Sequence, residues 1–178
     1  MNIFYLHNDP AECAKLHNDK HVVKMILEYG QLMSTAHRVL DGDLYYGKTT
    51  NGRNIRRWRL NDERESVLWK ASHIQHPSGI WVRSSAWNYL WLKDLWLELM
   101  REYTYRYGKV HSAERMKKFF VQLPNNIPRH SPFTEPTPAM PEQYKVSDNS
   151  LQSYINYYVG AKRHLASWKN RNVPSWYV

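Results

Sequence analysis

The chain has 178 residues, a length that suits one domain with a sizeable core. Its 25 Lys and Arg against 16 Asp and Glu give a formal net charge of +9, so an anionic partner is expected. A single Cys excludes an internal disulfide framework and a cysteine-rich zinc site, and no apolar run reaches the ~18 residues needed to span a bilayer.

The N-terminus shows no basic region followed by an apolar core, so no signal peptide is read and a cytoplasmic location is the default. Residues 2–6 are apolar and β-prone but too short to imply a sheet. Asp9-Pro10-Ala11-Glu12 combines a cap, a proline in the first turn and the end of a capping box, which predicts a helix running to about Leu40 before Asp41-Gly42. On that helix His17, His21, Lys24, Glu28, Gln31 and Thr35 fall within an arc of roughly 80°. Val22, Val23, Met25, Ile26, Leu27, Tyr29, Leu32 and Met33 cover most of the remaining surface. A narrow polar strip with a wide apolar surround predicts a largely buried helix whose strip faces an internal cleft, because buried ionisable groups are costly unless paired or used. The competing explanation is a tilted surface helix showing its polar line to water.

Residues 41–62 read as a basic loop or strand pair around Arg53-Asn54-Ile55-Arg56-Arg57-Trp58-Arg59. Such a run is either a solvated face or a contact to a phosphate backbone. A short helix from about Asp62 to Ser72 leads into His73-Ile74-Gln75-His76-Pro77, where Pro77 biases His76 away from helix. A long aromatic helix follows, from about Gly79 to Tyr107, with Arg83, Asp94, Glu98 and Arg101 gathered beside Trp87 and Tyr105. Arg83 with Asp94 or Glu98, and Glu98 with Arg101, would make internal ion pairs. Gly108 ends that helix, Lys109 follows, and a basic helix is expected from Ser112 to about Leu123. Residues 124–141 hold six of the nine prolines and predict an extended strap around the domain. A last helix runs from Ser147 or Asp148 to about Trp168, and the aromatic tail to Val178 packs back. With no repeat and no boundary, residues 1–178 read as a single compact all-α domain.

The chemistry is sought at the strip. His17 and His21 are one turn apart, which is helical metal-ligand spacing, but no third ligand is evident and Glu28 is about 16 Å along the axis from His17. Signatures for a serine nucleophile or a nucleotide-phosphate loop are absent. Amine and carboxylate chemistry remains. A desolvated Lys24 could attack an electrophilic sugar carbon, Glu28 could stabilise charge or move protons, and His17 and His21 could act as acid and base or as phosphate ligands. Arg53, Arg56, Arg57, Arg59, His76, Arg83 and Lys109 are the candidate phosphate contacts, with Trp87 or Tyr105 to stack a displaced base.

The run His17-x-Asp19-Lys20-His21-Val22-Val23-Lys24-Met25-Ile26-Leu27-Glu28 is joined by Ser34-Thr35-Ala36-His37-Arg38, by His76-Pro77, by Glu102 through His111 and by Met140-Pro141-x-x-Tyr144-Lys145-Val146. Together they resemble a group of short, largely uncharacterised phage-encoded proteins, over nearly the whole chain. The size, the basic helical make-up, the early helix with His before Glu and the Pro-Trp-Tyr tail also resemble the pyrimidine-dimer DNA glycosylases. That resemblance implies cleavage of a glycosidic bond in DNA and a backbone nick through an imine. Those enzymes attack with the α-amine of their second residue, beside a Glu preceded by Arg. Here Asn2 is second and Leu27 precedes Glu28, so Lys24 is the preferred amine and the N-terminus the other.

The leading expectation is therefore an enzyme that attacks the base–sugar bond of DNA or a nucleotide, without a cofactor or metal. The alternatives are a non-catalytic nucleic-acid or nucleotide-binding protein and a metal-dependent phosphohydrolase using His17 and His21.

Overall fold

The computed structural model describes residues 1–177. Helix α1 spans Pro10–Leu16, with the Asp9 carboxylate accepting from the Glu12 amide at 2.9 Å. It does not run on to Leu40. His17 is extended, and Asn18 starts a new helix by accepting from the His21 amide at 2.9 Å, so that α2 spans Asp19–Asp41. Asn favours capping over helix interior because its short side chain competes for backbone hydrogen bonds.

The expected all-α class is wrong in one element. After Gly42 the chain forms an antiparallel hairpin, β1 (Asp43–Lys48) and β2 (Asn54–Arg59), in register from Asp43 opposite Arg59 to Lys48 opposite Asn54. The protein is thus mostly helical with a two-stranded sheet. Tyr45, Tyr46, Ile55 and Trp58 suit a pleated, half-buried surface, and Gly52 takes the left-handed conformation (φ +74°) that the turn requires.

The helix expected over Asp62–Ser72 shrinks to one turn, α3 (Arg64–Val67). Its would-be continuation is bound sideways to α2. Arg38, fully buried, donates to the carbonyls of Glu65 (3.0 Å), Leu68 (2.8 Å) and Trp69 (2.8 Å). Gln31 donates to the Lys70 carbonyl at 3.0 Å, and the Ser72 amide donates to Thr35 Oγ1 at 3.2 Å. Tertiary partners for these backbone groups replace the helical ones.

The long aromatic helix is also two helices, α4 (Pro77–Ser84) and α5 (Ala86–Tyr107), with Ser85 extended and capping α5 through the Trp87 amide. Gly108, left-handed at φ +65°, ends α5. Trp96 is buried and donates to the Ile26 carbonyl at 2.9 Å, locking α5 to α2. Of the expected ion pairs, only Arg101 with Glu98 forms among the described residues; Asp94 pairs with Lys93. The buried charges of α5 are Glu102 and Arg106, and they join Asp19 and Arg171 in one network.

A 3₁₀ turn (Ser112–Met116) and the single turn α6 (Lys117–Phe120) replace the expected basic helix. The strap after it is extended and held by side chains of the body: Ser85 Oγ donates to the Ser131 carbonyl and Trp81 Nε1 to that of Thr134. Helix α7 spans Ser150–Ala161, ending well short of Trp168. The tail returns across α1 and α2, with Trp168 Nε1 on the Leu16 carbonyl and the Lys169 amide on the Asp19 carboxylate. Among the described residues no helix is long and apolar enough to cross a membrane.

Candidate active site at Glu28

Residues 1–6 are tied to α2 at Phe4 and to α1 through Cys13, whose thiol accepts from the Leu6 amide and donates to the Phe4 carbonyl. The Phe4 amide donates to the Tyr29 hydroxyl at 2.9 Å, and that hydroxyl meets His17 Nε2 at 3.0 Å. His17 Nδ1 lies 2.8 Å from the Cys13 carbonyl, which can only accept. The proton of a neutral His17 therefore sits on Nδ1, and Nε2 accepts from Tyr29. Burial holds the His17 pKa down to about 4. Both ring nitrogens are committed to the protein, so His17 is a structural group behind the site and not a group within it. The same commitment removes it as a metal ligand, and among the described residues no three His, Cys, Asp or Glu side chains cluster as a metal site.

His21 stands one step nearer. Its ring stacks on Phe4 (centroids 4.2 Å apart) and its Nδ1 accepts from the Tyr158 hydroxyl at 2.7 Å, while Tyr158 accepts from the Asn18 amide. Burial, with the nearby positive groups, pushes its pKa down to about 3. His21 borders a cavity of about 300 Å³ that also meets Lys24, Glu28, Tyr157 and Lys162.

Glu28 is the centre of this region. Its Oε1 is 3.2 Å from Lys24 Nζ and its Oε2 is 3.7 Å from the Met1 amine. The Glu28 side chain is 20% exposed, whereas that of Lys24 is 67% exposed, so the expected desolvation of Lys24 is not found. On its other side Glu28 opens into a second cavity, of about 400 Å³, walled by Leu27, Gln31, Trp69, Ser72 and His73. Nothing in the sequence singles out Trp69 or shows that His73 faces Glu28. His73 is one of three non-glycine residues with a left-handed backbone among the described residues (φ +48°), a conformation costing on the order of 1–2 kcal/mol that recurs where function fixes a side chain. Its carbonyl accepts from the His76 amide at 2.9 Å, which closes the turn. His76 is half-buried; its pKa is lowered first by burial and then by the Met1 amine and His73, with Glu28 opposing, so it belongs to the same electrostatic neighbourhood. Its Nδ1 accepts from the Ser78 amide and caps α4.

The polar strip of α2 thus has two tasks. Its first part, Lys24 and Glu28, faces the cleft; its second part, Gln31 and Thr35, holds the loop that forms the far wall. Arg38 continues the strip by one more turn, and extending the helical wheel would have found it.

The remaining candidates divide. Arg57 donates to the Ala71 carbonyl at 3.3 Å, beside the wall residues Ser72 and His73. Arg59 lies over the Tyr45 ring, and Arg53 and Arg56 project from the hairpin. Arg83 donates to the Ile74 carbonyl at 2.6 Å from beneath the loop, and its other terminal nitrogen is buried without a partner. It braces the His73–His76 turn. Trp87 and Tyr105 are both exposed but lie 18 residues apart on α5, about 27 Å at 1.5 Å per residue, so they cannot stack one base together. Tyr105 is covered by the Arg171 guanidinium 4.2 Å above its ring, and Lys109 follows near the same end of α5. A larger cavity of about 510 Å³ beside Tyr105 is lined by Arg101, Glu114 and Lys117, the last two paired with each other.

Comparison of the chain with protein-family models, curated proteins and solved structures finds no match in any of the three.

Proposed function

We propose that the protein is a DNA- or nucleotide-acting enzyme that attacks the base–sugar bond in the manner of a glycosylase with lyase activity. The observation that carries this reading is the Glu28 carboxylate held within 3.2 Å and 3.7 Å of two amines, between two cavities that adjoin. A carboxylate so placed can take a proton from an amine and return it later.

In this reading one amine beside Glu28 gives its proton to the carboxylate, and its lone pair forms a bond to C1′ of the sugar. The C1′–N bond to the base breaks; the base leaves with the electron pair and is protonated by water or by the imidazole of His73. A second proton passes from the nitrogen to water. Glu28 then protonates the ring oxygen as the C1′–O4′ bond opens, which leaves the sugar joined to the protein as an imine. The Glu28 carboxylate, free again, takes a proton from C2′, and the electron pair left there forms the C2′–C3′ double bond as the C3′–O bond breaks and the 3′-phosphate leaves. The rings of Trp69 and His73 offer the cavity faces on which a displaced base could rest. His17 and His21 act here as neutral posts that fix residues 1–6, in place of the acid and base roles expected of them.

A non-catalytic nucleic-acid-binding protein is the second reading, favoured by the exposure of Lys24, which makes its bond to Glu28 an ordinary i,i+4 ion pair. Borohydride trapping on DNA with abasic and modified-base sites separates the two. A covalent adduct that disappears in Glu28→Gln is expected, and mass mapping of the adduct peptide assigns the amine to Lys24 or Met1. No adduct, with DNA binding unaltered in Glu28→Gln, overturns the enzyme reading. Cleavage with no trapped adduct, lost on chelation and restored by a divalent ion, would instead revive the metal-dependent hydrolase.

A further inference from the structure

An isolated two-stranded hairpin is marginal in water unless one face is covered, and here much of one face is not. The register puts Leu44, Tyr46 and Lys48 on the same face as Trp58, Arg56 and Asn54. Leu44 is 51% and Tyr46 72% exposed, and only Trp58 on that face is half-buried. The opposite face, with Tyr45, Ile55 and Arg57, is half-buried, and Arg57 bonds to the Ala71 carbonyl of the cleft wall.

Charge fixes what the open face would meet. Within residues 48–59 lie Lys48, Arg53, Arg56, Arg57 and Arg59 and no acidic residue. Among the described residues none of these five cations has a carboxylate within salt-bridge distance, whereas Arg38, Arg64, Arg101, Arg106 and Arg171 all do. Unpaired guanidinium groups beside exposed apolar and aromatic side chains match a phosphate-flanked groove, in which a two-stranded ribbon fits.

The arm is also rigidly tied to the cleft. Arg38 donates at once to the carbonyl of Trp58, in β2 (2.9 Å), and to that of Trp69, in the cleft wall (2.8 Å). A duplex held by the hairpin is therefore held at a fixed distance from Glu28.

We infer that the β1–β2 hairpin is a groove-binding arm for duplex DNA, with Leu44, Tyr46 and Trp58 turned to the groove and Lys48, Arg53 and Arg56 to its phosphates. The choice of DNA as the polyanion rests on the function proposed above; the duplex geometry rests on the hairpin itself.

The test measures salt-dependent binding of the full chain to a 20-base-pair duplex and to one of its single strands. Arg53→Ala with Arg56→Ala is expected to weaken duplex binding tenfold or more and to lower the slope of log affinity against log salt by about 2, one unit per phosphate contact. Leu44→Ser with Tyr46→Ser is expected to lower duplex affinity several-fold at unchanged slope, with single-strand affinity altered less than twofold. Thermal melts of all variants should superimpose on wild type, since the replaced side chains are exposed. Unchanged duplex binding in both pairs of variants overturns the inference. An equal loss on single strand and duplex also overturns it, in favour of bases stacking on Tyr46. The borohydride experiment on wild type is independent of this one, so a missing adduct with a hairpin-dependent duplex affinity would refute the enzyme and leave the arm standing.

Discussion

The hydroxyl of Tyr29 and Nε2 of His17 lie 3.0 Å apart, and through this pair the first residues of the chain are fixed beside Glu28. Tyr29 gives its proton to His17 and takes one from the Phe4 amide, so a single oxygen satisfies two buried partners. Tyr29→Phe removes it and leaves both without a partner. Each such loss costs about 1–3 kcal/mol, which for a chain of this size lowers Tm by roughly 4–24 °C in all. The variant should also lose trapping on abasic DNA at temperatures where it is still folded, because Met1 and Asn2 are no longer held against α2. Circular dichroism melts and single-turnover trapping check the two effects separately.

Three buried imidazoles make the fold acid-sensitive. Burial pushes His17 and His37 down to about 4 and His21 to about 3. The unfolded chain titrates these groups near pH 6.5, so below that pH protons bind the unfolded state and not the folded one. Stability is therefore full above about pH 6.5 and falls as pH drops towards 4, where His17 and His37 begin to protonate in the folded state too. Each group adds a slope of up to about 1.4 kcal/mol per pH unit in that window. Urea unfolding at pH 7.5, 6, 5 and 4.5 should show a steep decline, shallower in His21→Gln. A flat profile would mean that these rings are not held neutral.

Helix α2 shows most clearly how far local pattern reaches. The strip is legible in the sequence because Lys24, Glu28, Gln31 and Thr35 obey one helical period, and helical period is a local property. His17 reads as part of the strip because Asn18 and Asp19 can serve either inside a helix or at its start. Partners distant in sequence select the second: the Tyr29 and Tyr158 hydroxyls on His17 and Asn18, and Arg106 and the Lys169 amide on Asp19. The same limit explains the long helix broken at Ser85, whose side chain takes a bond from the Trp87 amide while its own hydroxyl donates to Ser131. The basic run around Arg53–Arg59 is readable as a strand pair, yet its few residues are outweighed by the helical periodicity on either side, which points to an all-α class. Trp69 and Met1 enter the site through tertiary packing, which no spacing along the chain reveals.

Arg38 ties β2, the α3 turn and the cleft wall to α2. Its guanidinium makes five hydrogen bonds, to the carbonyls of Trp58, Glu65, Leu68 and Trp69 and to the Glu65 carboxylate, and it is 2% exposed. Lysine offers three donors from one point and cannot reach this ring of acceptors. Arg38→Lys should cost about 3 kcal/mol, and the hairpin and residues 65–72 should loosen together. Limited proteolysis reads this out: cleavage after Arg53 and Arg57 should rise many-fold in the variant before global unfolding. If cleavage there tracks only the global melt, the hairpin is anchored by other contacts.

Glu28→Gln separates function from fold. The carboxylate is partly exposed and its better-placed partner, Lys24, is mostly in water, so the pair contributes about 0–1 kcal/mol and Tm should shift by no more than about 4 °C. Chemistry should respond far more, because the amide can neither accept the proton of an attacking amine nor return it to the sugar ring oxygen. A fall in trapping of about a hundredfold or more, within the 10²–10⁴ range for loss of a positioned proton carrier, is expected at unchanged duplex affinity. Lys24→Ala divides the outcome further. If trapping falls as it does in Glu28→Gln, the ε-amine is the nucleophile; if it survives, the Met1 amine on the other oxygen is. A Glu28→Gln protein that traps DNA as well as wild type would remove Glu28 from the reaction altogether, and with it the reason for reading this cleft as an active site.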